Sequence, residues 1–239
     1  MTSLIYFLHI CFMRSYRYGP PTVVFMLGLI FVYSMVPNPV MDSYAFTTSF
    51  LFIVSASLCY SIIDIETPNQ ELVTVLHSGS LLKLYISKML YSWGFTFPLT
   101  IFAVFYPAVF HKFDRNPTLE ELFMAVGYHS AVAWLGVSLA CWFTVKLFRS
   151  RLLSFLMLCL VITISFSAQG IENSLPEGWS KLSILLPPLQ RSIYVLSHYD
   201  EIMFTMKISA IGVIFLYGTV LSLVFLIVMN KRKLDSPKT

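Results

Sequence analysis

DIETPNQELVTVLHSGSLLKLYISKML, residues Asp64 to Leu90, is the most polar interval between two long apolar windows of this chain. Three acids, Asp64, Glu66 and Glu71, precede two lysines, Lys83 and Lys88. The interval reads as a helix with both ends marked. Thr67 suits the N-cap, Pro68 the first helical position, and Gln70 stands at the capping-box spacing from Thr67. Leu72, Val73 and Leu76 then form an apolar face, and Gly79 is the expected stop. Ser80 is placed to cap a second helix that runs directly into an apolar span.

The flanking sequence says what those spans are. Hydrophobic residues make up 57% of the 239, and charged residues only 12%. An average soluble domain carries about 25% charged residues, so this chain cannot cover a soluble surface. Charge-free windows run over Tyr18–Met41, Ser43–Ile63, Met89–His111, Leu122–Val145, Leu152–Ile171 and Ile208–Asn230. A helix needs about 20 apolar residues to cross the hydrocarbon core, and each window meets that length. None alternates polar with apolar residues as a membrane strand would. The expectation is an all-α polytopic membrane protein, a single transmembrane domain over residues 1–239 with six spans.

Lysine and arginine set the orientation. With the N-terminus inside, the inner segments hold Arg14, Arg17, Lys83, Lys88, Lys146, Arg149, Arg151, Lys231, Arg232, Lys233 and Lys238. The outer segments hold only Lys112, Arg115, Lys181, Arg191 and Lys207. This bias places both termini in the cytoplasm and the chain in the cell membrane. The net charge of +4 is then a consequence of orientation, and no basic cluster has the form of a nucleic-acid footprint. Cys11, Cys59, Cys141 and Cys159 lie in or beside apolar segments without a C-x-x-C pair, so they read as small packing residues.

Residues 1–19 place an apolar run before Arg14 and Arg17, the reverse of a secretory signal, and read as an interfacial helix. Val36-Pro37-Asn38-Pro39 turns the first hairpin. Ser57 and Ser61 share a face of the second span. They are candidates for a polar wall along a substrate path, and the same spacing also serves helix packing. Pro98 and Pro107 fall within the third span. Thr118 and Glu121 have capping-box spacing at the start of the fourth. Gly127/Ala131 and Gly136/Ala140 there give small-xxx-small pairs. His129 is the one ionisable group well inside a window, which makes it a functional candidate by position; a neutral, hydrogen-bonded histidine is the other reading. The outer segment 170–207 is partly apolar and contains Pro187-Pro188. It reads as two short helices, the second over 190–197, dipping back into the outer leaflet.

The chain has no nucleotide-binding loop, no dinucleotide fingerprint, no nucleophile elbow and no H-E-x-x-H. Glu120-Glu121, followed by His129 and by His198 far downstream, faintly resembles the intramembrane CAAX-type proteases. That family has an arginine shortly after the glutamate pair, where this chain has Ala125. The six windows contain no Asp, Glu, Lys or Arg, which argues against an ion-coupled, non-ABC transporter.

The whole plan resembles the membrane subunit of ABC exporters, the type-2 export permease family. The resemblance lies in an interfacial N-terminal helix, six spans, a helix between spans two and three, and short re-entrant helices between spans five and six. Its most specific piece is the segment 64–88. Glu66 and Glu71 supply the acids, Leu72, Val75 and Leu76 the apolar helix, Ser78-Gly79-Ser80 the break and Lys88 the terminal lysine. Leu186-Pro187-Pro188-Leu189 resembles the family's proline-containing segment before span six. No Pro or Arg marks the break here, and Ser87 stands where glycine is usual. The resemblance implies the channel-forming half of a pump. ATP and magnesium would be bound by separate ABC ATPase subunits, and this chain would hold no cofactor. The helix near 68–78 would contact the ATPase through Glu66, Glu71, Leu72, Val75, Leu76 and Lys83. A second permease copy or a related chain would complete the path. Drugs, peptides, lipids and polysaccharides are among the family's substrates.

Overall fold

A computed structural model describes residues 1–148, 150–174 and 186–231. Among them are nine α-helices and no sheet: α1 (Thr2–Ser15), α2 (Gly19–Val32), α3 (Val40–Ile63), α4 (Pro68–Ser78), α5 (Leu81–Val109), α6 (Leu119–Ala140), α7 (Arg151–Ser174), α8 (Leu189–Ser197) and α9 (Phe204–Lys231). Short 3-10 turns cover Cys141–Phe143 and Tyr199–Glu201. Five helices, α3, α5, α6, α7 and α9, are long and apolar enough to cross a membrane. The chain is an all-α polytopic membrane protein.

The first charge-free window does not become one long helix. It divides into α2, the turn after it and the first residues of α3. α2 has 14 residues, a rise of roughly 21 Å against a hydrocarbon core of about 30 Å. The turn expected at Val36–Pro39 is present but begins earlier, after Val32, and carries no charge to mark its start. Its cause is local: Pro37 and Pro39 have no N–H to extend a helix, and Ser34 Oγ donates to the Phe31 carbonyl at 2.6 Å. The turn is then tied across the bundle end. Asn38 N–H donates to Lys112 O at 3.1 Å, and Asp114 N–H donates to Asn38 O at 2.9 Å.

α3 and α6 form the centre and share the most extensive helix contact. Of their most apolar stretches 67% and 72% of residues are buried, against 22% in both α7 and α9. Lipid is as apolar as leucine, so close backbone approach and interhelical hydrogen bonds hold such helices together. Both occur here. Gly136 lies so close to α3 that a Cβ built on it would stand 2.7 Å from the Phe52 carbonyl oxygen and 3.3 Å from Ala56 N. Tyr44 donates to Val104 O at 2.9 Å, Trp93 to Ser130 O at 3.0 Å, and Tyr128 to Lys207 O at 2.7 Å. Cys59 Sγ and Cys141 Sγ lie 3.4 Å apart in the apolar cluster between α3 and α6.

α1 is a helix that ends at Tyr16 in the left-handed region, and its Leu8 and Phe12 are buried. Phe12 packs edge-on against Tyr91 and Phe95 of α5. α8 starts directly after Pro187-Pro188 and turns Leu189, Ser192, Val195 and Leu196 inward, mainly against α3. The other short helix expected in this segment falls largely on residues 175–185, outside the described residues.

Candidate functional site

The polar interval that organises the sequence also makes the densest set of charged contacts in the fold. α4 forms with the expected caps. Gln70 N–H donates to Thr67 Oγ1 at 3.4 Å, and the Gln70 side chain accepts from Thr67 N–H at 3.0 Å. Gly79 closes the helix with φ of 72° and donates its N–H to Val75 O at 2.9 Å. A non-glycine residue is disfavoured at that φ. Ser80 occupies the N-cap position of α5 but makes no side-chain cap bond.

One face of α4 is fastened to the bundle. Glu66 is buried and accepts from Thr74 Oγ1 at 2.6 Å. Its other oxygen meets Lys88 Nζ at 2.9 Å, with the two side chains 2% and 1% exposed. Lys88 Nζ also donates to the Ile63 carbonyl at the end of α3, at 3.0 Å. Glu71, buried on α4, accepts from the Tyr85 hydroxyl at 3.2 Å and pairs with Lys146. Lys146 Nζ in turn donates to Tyr85 Oη at 2.8 Å. Asp64, just past α3, accepts from Thr144 Oγ1 at 2.6 Å and from Val145 N–H at 2.8 Å. Three carboxylates and two lysines thus join the ends of α3 and α6 to α4 and the start of α5. Removing one partner of such a buried pair is far costlier than removing an exposed one.

This arrangement separates the residues that the sequence grouped as one contact surface. Glu66 and Glu71 point into the bundle and are paired with Lys88 and Lys146 within the chain. Val75 is half-buried. Leu72 and Leu76 are 37% and 80% exposed. Lys83 is exposed and lines a cleft between α1 and α4. Spacing alone predicted the helix, but it could not tell which of its charges would be met internally. The partners Tyr85, Thr144 and Lys146 carry no sequence signal. Lys146 is 75 positions from Glu71 and reaches it only because α6 and α3 pack side by side.

The path candidates are equally resolved. Ser57 Oγ donates to Ile53 O at 2.9 Å and Ser61 Oγ to Ser57 O at 3.0 Å, so both bond their own helix. His129 is fully buried. Its ring lies 3.0 Å from Thr47 Oγ1, 3.1 Å from Thr48 Oγ1 and 2.7 Å from Ala125 O, which occupies both nitrogens.

At the opposite end of the bundle the glutamate pair is divided. Glu121 completes a capping box with Thr118 and takes a two-pronged contact from Arg115, at 2.9 and 2.5 Å. Glu120 accepts from Tyr199 Oη at 2.8 Å and faces Lys207 Nζ at 3.7 Å. Burial pushes the Tyr199 phenol above its usual range, and the Glu120 carboxylate adds to that, so Tyr199 is the proton donor. His198 stacks on Tyr194 at 4.6 Å instead of meeting a glutamate. Among the described residues, no group of three or more His, Cys, Asp or Glu side chains is placed to hold a metal ion. Comparisons of the chain with family models, with curated proteins and with solved structures returned no match.

Proposed function

We propose that this chain is the membrane-spanning permease subunit of an ATP-driven ABC exporter of the type-2 export class. α4 is the element that receives the motion of a separate ATPase subunit. One observation carries the reading: α4 is capped at both ends and bolted to the bundle on one face, yet presents Leu72 and Leu76 outward on another. A stiff helix fixed to several spans moves them as one body when it is pushed. Glu71 and Glu66 serve this function from inside, by fixing α4 to the bundle, while the leucines form the contact.

The rest of the plan follows from that role. α2 together with the turn residues that follow it makes the first of six crossings, α1 lies at the interface, and α8 belongs to a re-entrant pair in the outer leaflet. The end that carries Lys83, Lys88, Lys146 and Arg151 faces the cytoplasm by the positive-inside bias. α7 and α9, with most of their surface uncovered, are the helices available to a second permease copy. ATP hydrolysis belongs to the partner.

Affinity purification of the tagged chain from its native membranes tests the proposal. The expected result is co-elution of a subunit that hydrolyses ATP, lost in the Leu72→Asp/Leu76→Asp double variant while the thermal stability of the permease itself is retained. Wild-type chain purified without ATPase activity, or an unchanged complex in the variant, overturns the reading.

A further inference from the structure

A cleft of about 980 Å³ opens between α1 and α4, on a face of α4 distinct from Leu72 and Leu76. At 100° per residue, Val73 and His77 sit roughly a quarter-turn around the helix from those leucines. Met1, Leu4 and Phe7 at α1 and Val73 of α4 give it its apolar lining, and His77 of α4 and Lys83 of α5 also line it. We propose that this cleft holds one anionic phospholipid of the adjoining leaflet, with its phosphate on Lys83 and an acyl chain along Leu4, Phe7 and Val73.

Depth, charge and shape each support this occupant. The charge-free part of α5 runs from Met89 to Val109, roughly 31 Å of helix, enough to cross the hydrocarbon core. Lys83 lies before it, two turns of α5 N-terminal to the core, which is the level of the headgroups. Charge is one-sided: no carboxylate lines the cleft. The neighbouring lysines Lys88 and Lys146 are met by Glu66 and Glu71, whereas no carboxylate among the described residues pairs with Lys83. An ammonium on a flexible stem suits a phosphate as a point charge. The apolar walls give a place for a chain that a free anion would not use. The volume is at the upper end of the roughly 300–1,000 Å³ of small-molecule clefts. Basic pockets beside membrane helices bind anionic headgroups by this same combination of charge and depth.

Native mass spectrometry of the delipidated full chain, titrated with phosphatidylglycerol or phosphatidylcholine, tests the proposal. One phosphatidylglycerol should bind in preference to phosphatidylcholine. A lysine near the surface contributes about 1 kcal/mol to anionic lipid binding, so Lys83→Gln should weaken phosphatidylglycerol about fivefold and remove the preference. Val73→Trp, which fills the apolar wall, should weaken both lipids, and Glu201→Gln at the opposite end should change neither. Equal affinity of Lys83→Gln and wild type for phosphatidylglycerol overturns the proposal. So does unchanged binding in Val73→Trp. Displacement of the lipid by an equal concentration of inorganic phosphate overturns it as well, because the site would then recognise an anion without its chain. The assay contains no ATPase, so its outcome is independent of the exporter reading.

Discussion

Replacing Lys88 by methionine removes the cation of the most deeply buried ion pair while keeping most of the stem volume. In the native fold Lys88 Nζ is shared by Glu66 at 2.9 Å and the Ile63 carbonyl at 3.0 Å, and neither charged side chain is more than 2% exposed. The substitution leaves the Glu66 carboxylate buried with a single donor, the Thr74 hydroxyl. Breaking a buried pair from one side costs about 3–5 kcal/mol. The double variant Lys88→Met/Glu66→Leu behaves differently. It removes both charges, and Thr74 keeps its bond to the Gln70 carbonyl at 2.9 Å. Apolar replacement of a whole buried pair is often neutral or stabilising by about 1–4 kcal/mol. The double variant should therefore regain most of what Lys88→Met loses, with a coupling energy well above the few tenths of a kcal/mol expected for independent sites. Reversible unfolding in mixed micelles, followed by tryptophan fluorescence, measures all four corners of the cycle. A single-variant loss under about 1 kcal/mol, or a double variant as unstable as the single, would refute the account of α4 as a helix bolted through this pair.

Three further outcomes follow from the geometry. Gly136→Ala should destabilise the chain by about 1–3 kcal/mol in the same assay, because the new methyl meets the Ser55 hydroxyl and, behind it, the α3 backbone at Phe52 and Ala56, which cannot swing aside as a side chain does. Thr67→Ala should cost about 0.5–2 kcal/mol by leaving the Gln70 N–H uncapped, and Thr67→Ser should recover most of it. Single cysteines at His77 and at Glu201, both exposed and at opposite ends of the bundle, should be labelled by a membrane-impermeant maleimide from opposite sides: His77→Cys only in opened cells, Glu201→Cys in intact ones. The reverse pattern would invert the topology.

The helix between the first two long spans shows how far local chemistry reaches. Thr67, Pro68, Gln70 and Gly79 mark α4 to the residue, because a cap involves groups three or four positions apart and nothing else. Thr118 and Glu121 start α6 for the same reason. The five long spans were likewise written in the absence of charge, since a helix crossing lipid must be apolar along its whole length and satisfy its backbone internally. The window Tyr18–Met41 marks the limit of that rule. Freedom from charge is necessary for a span, but the turn that Pro37 and Pro39 mark is also free of charge and begins four residues before Pro37, so α2 is shorter than its window.

What only the tertiary structure decided is where each charge of the Asp64–Leu90 stretch is directed. Glu71 looks like a surface acid in sequence and becomes a buried one because Lys146, far along the chain, is delivered beside it by α6. Glu66 is drawn inward by Lys88, one helix away. Leu72 and Leu76, which the sequence groups with those acids on one contact surface, are left outside while the ion pairs turn the polar face of α4 to the bundle. Hydrophobicity sets the orientation of a helix against water. At the end of a membrane bundle, two buried ion pairs are the stronger constraint, and their partners are a matter of three-dimensional neighbourhood alone.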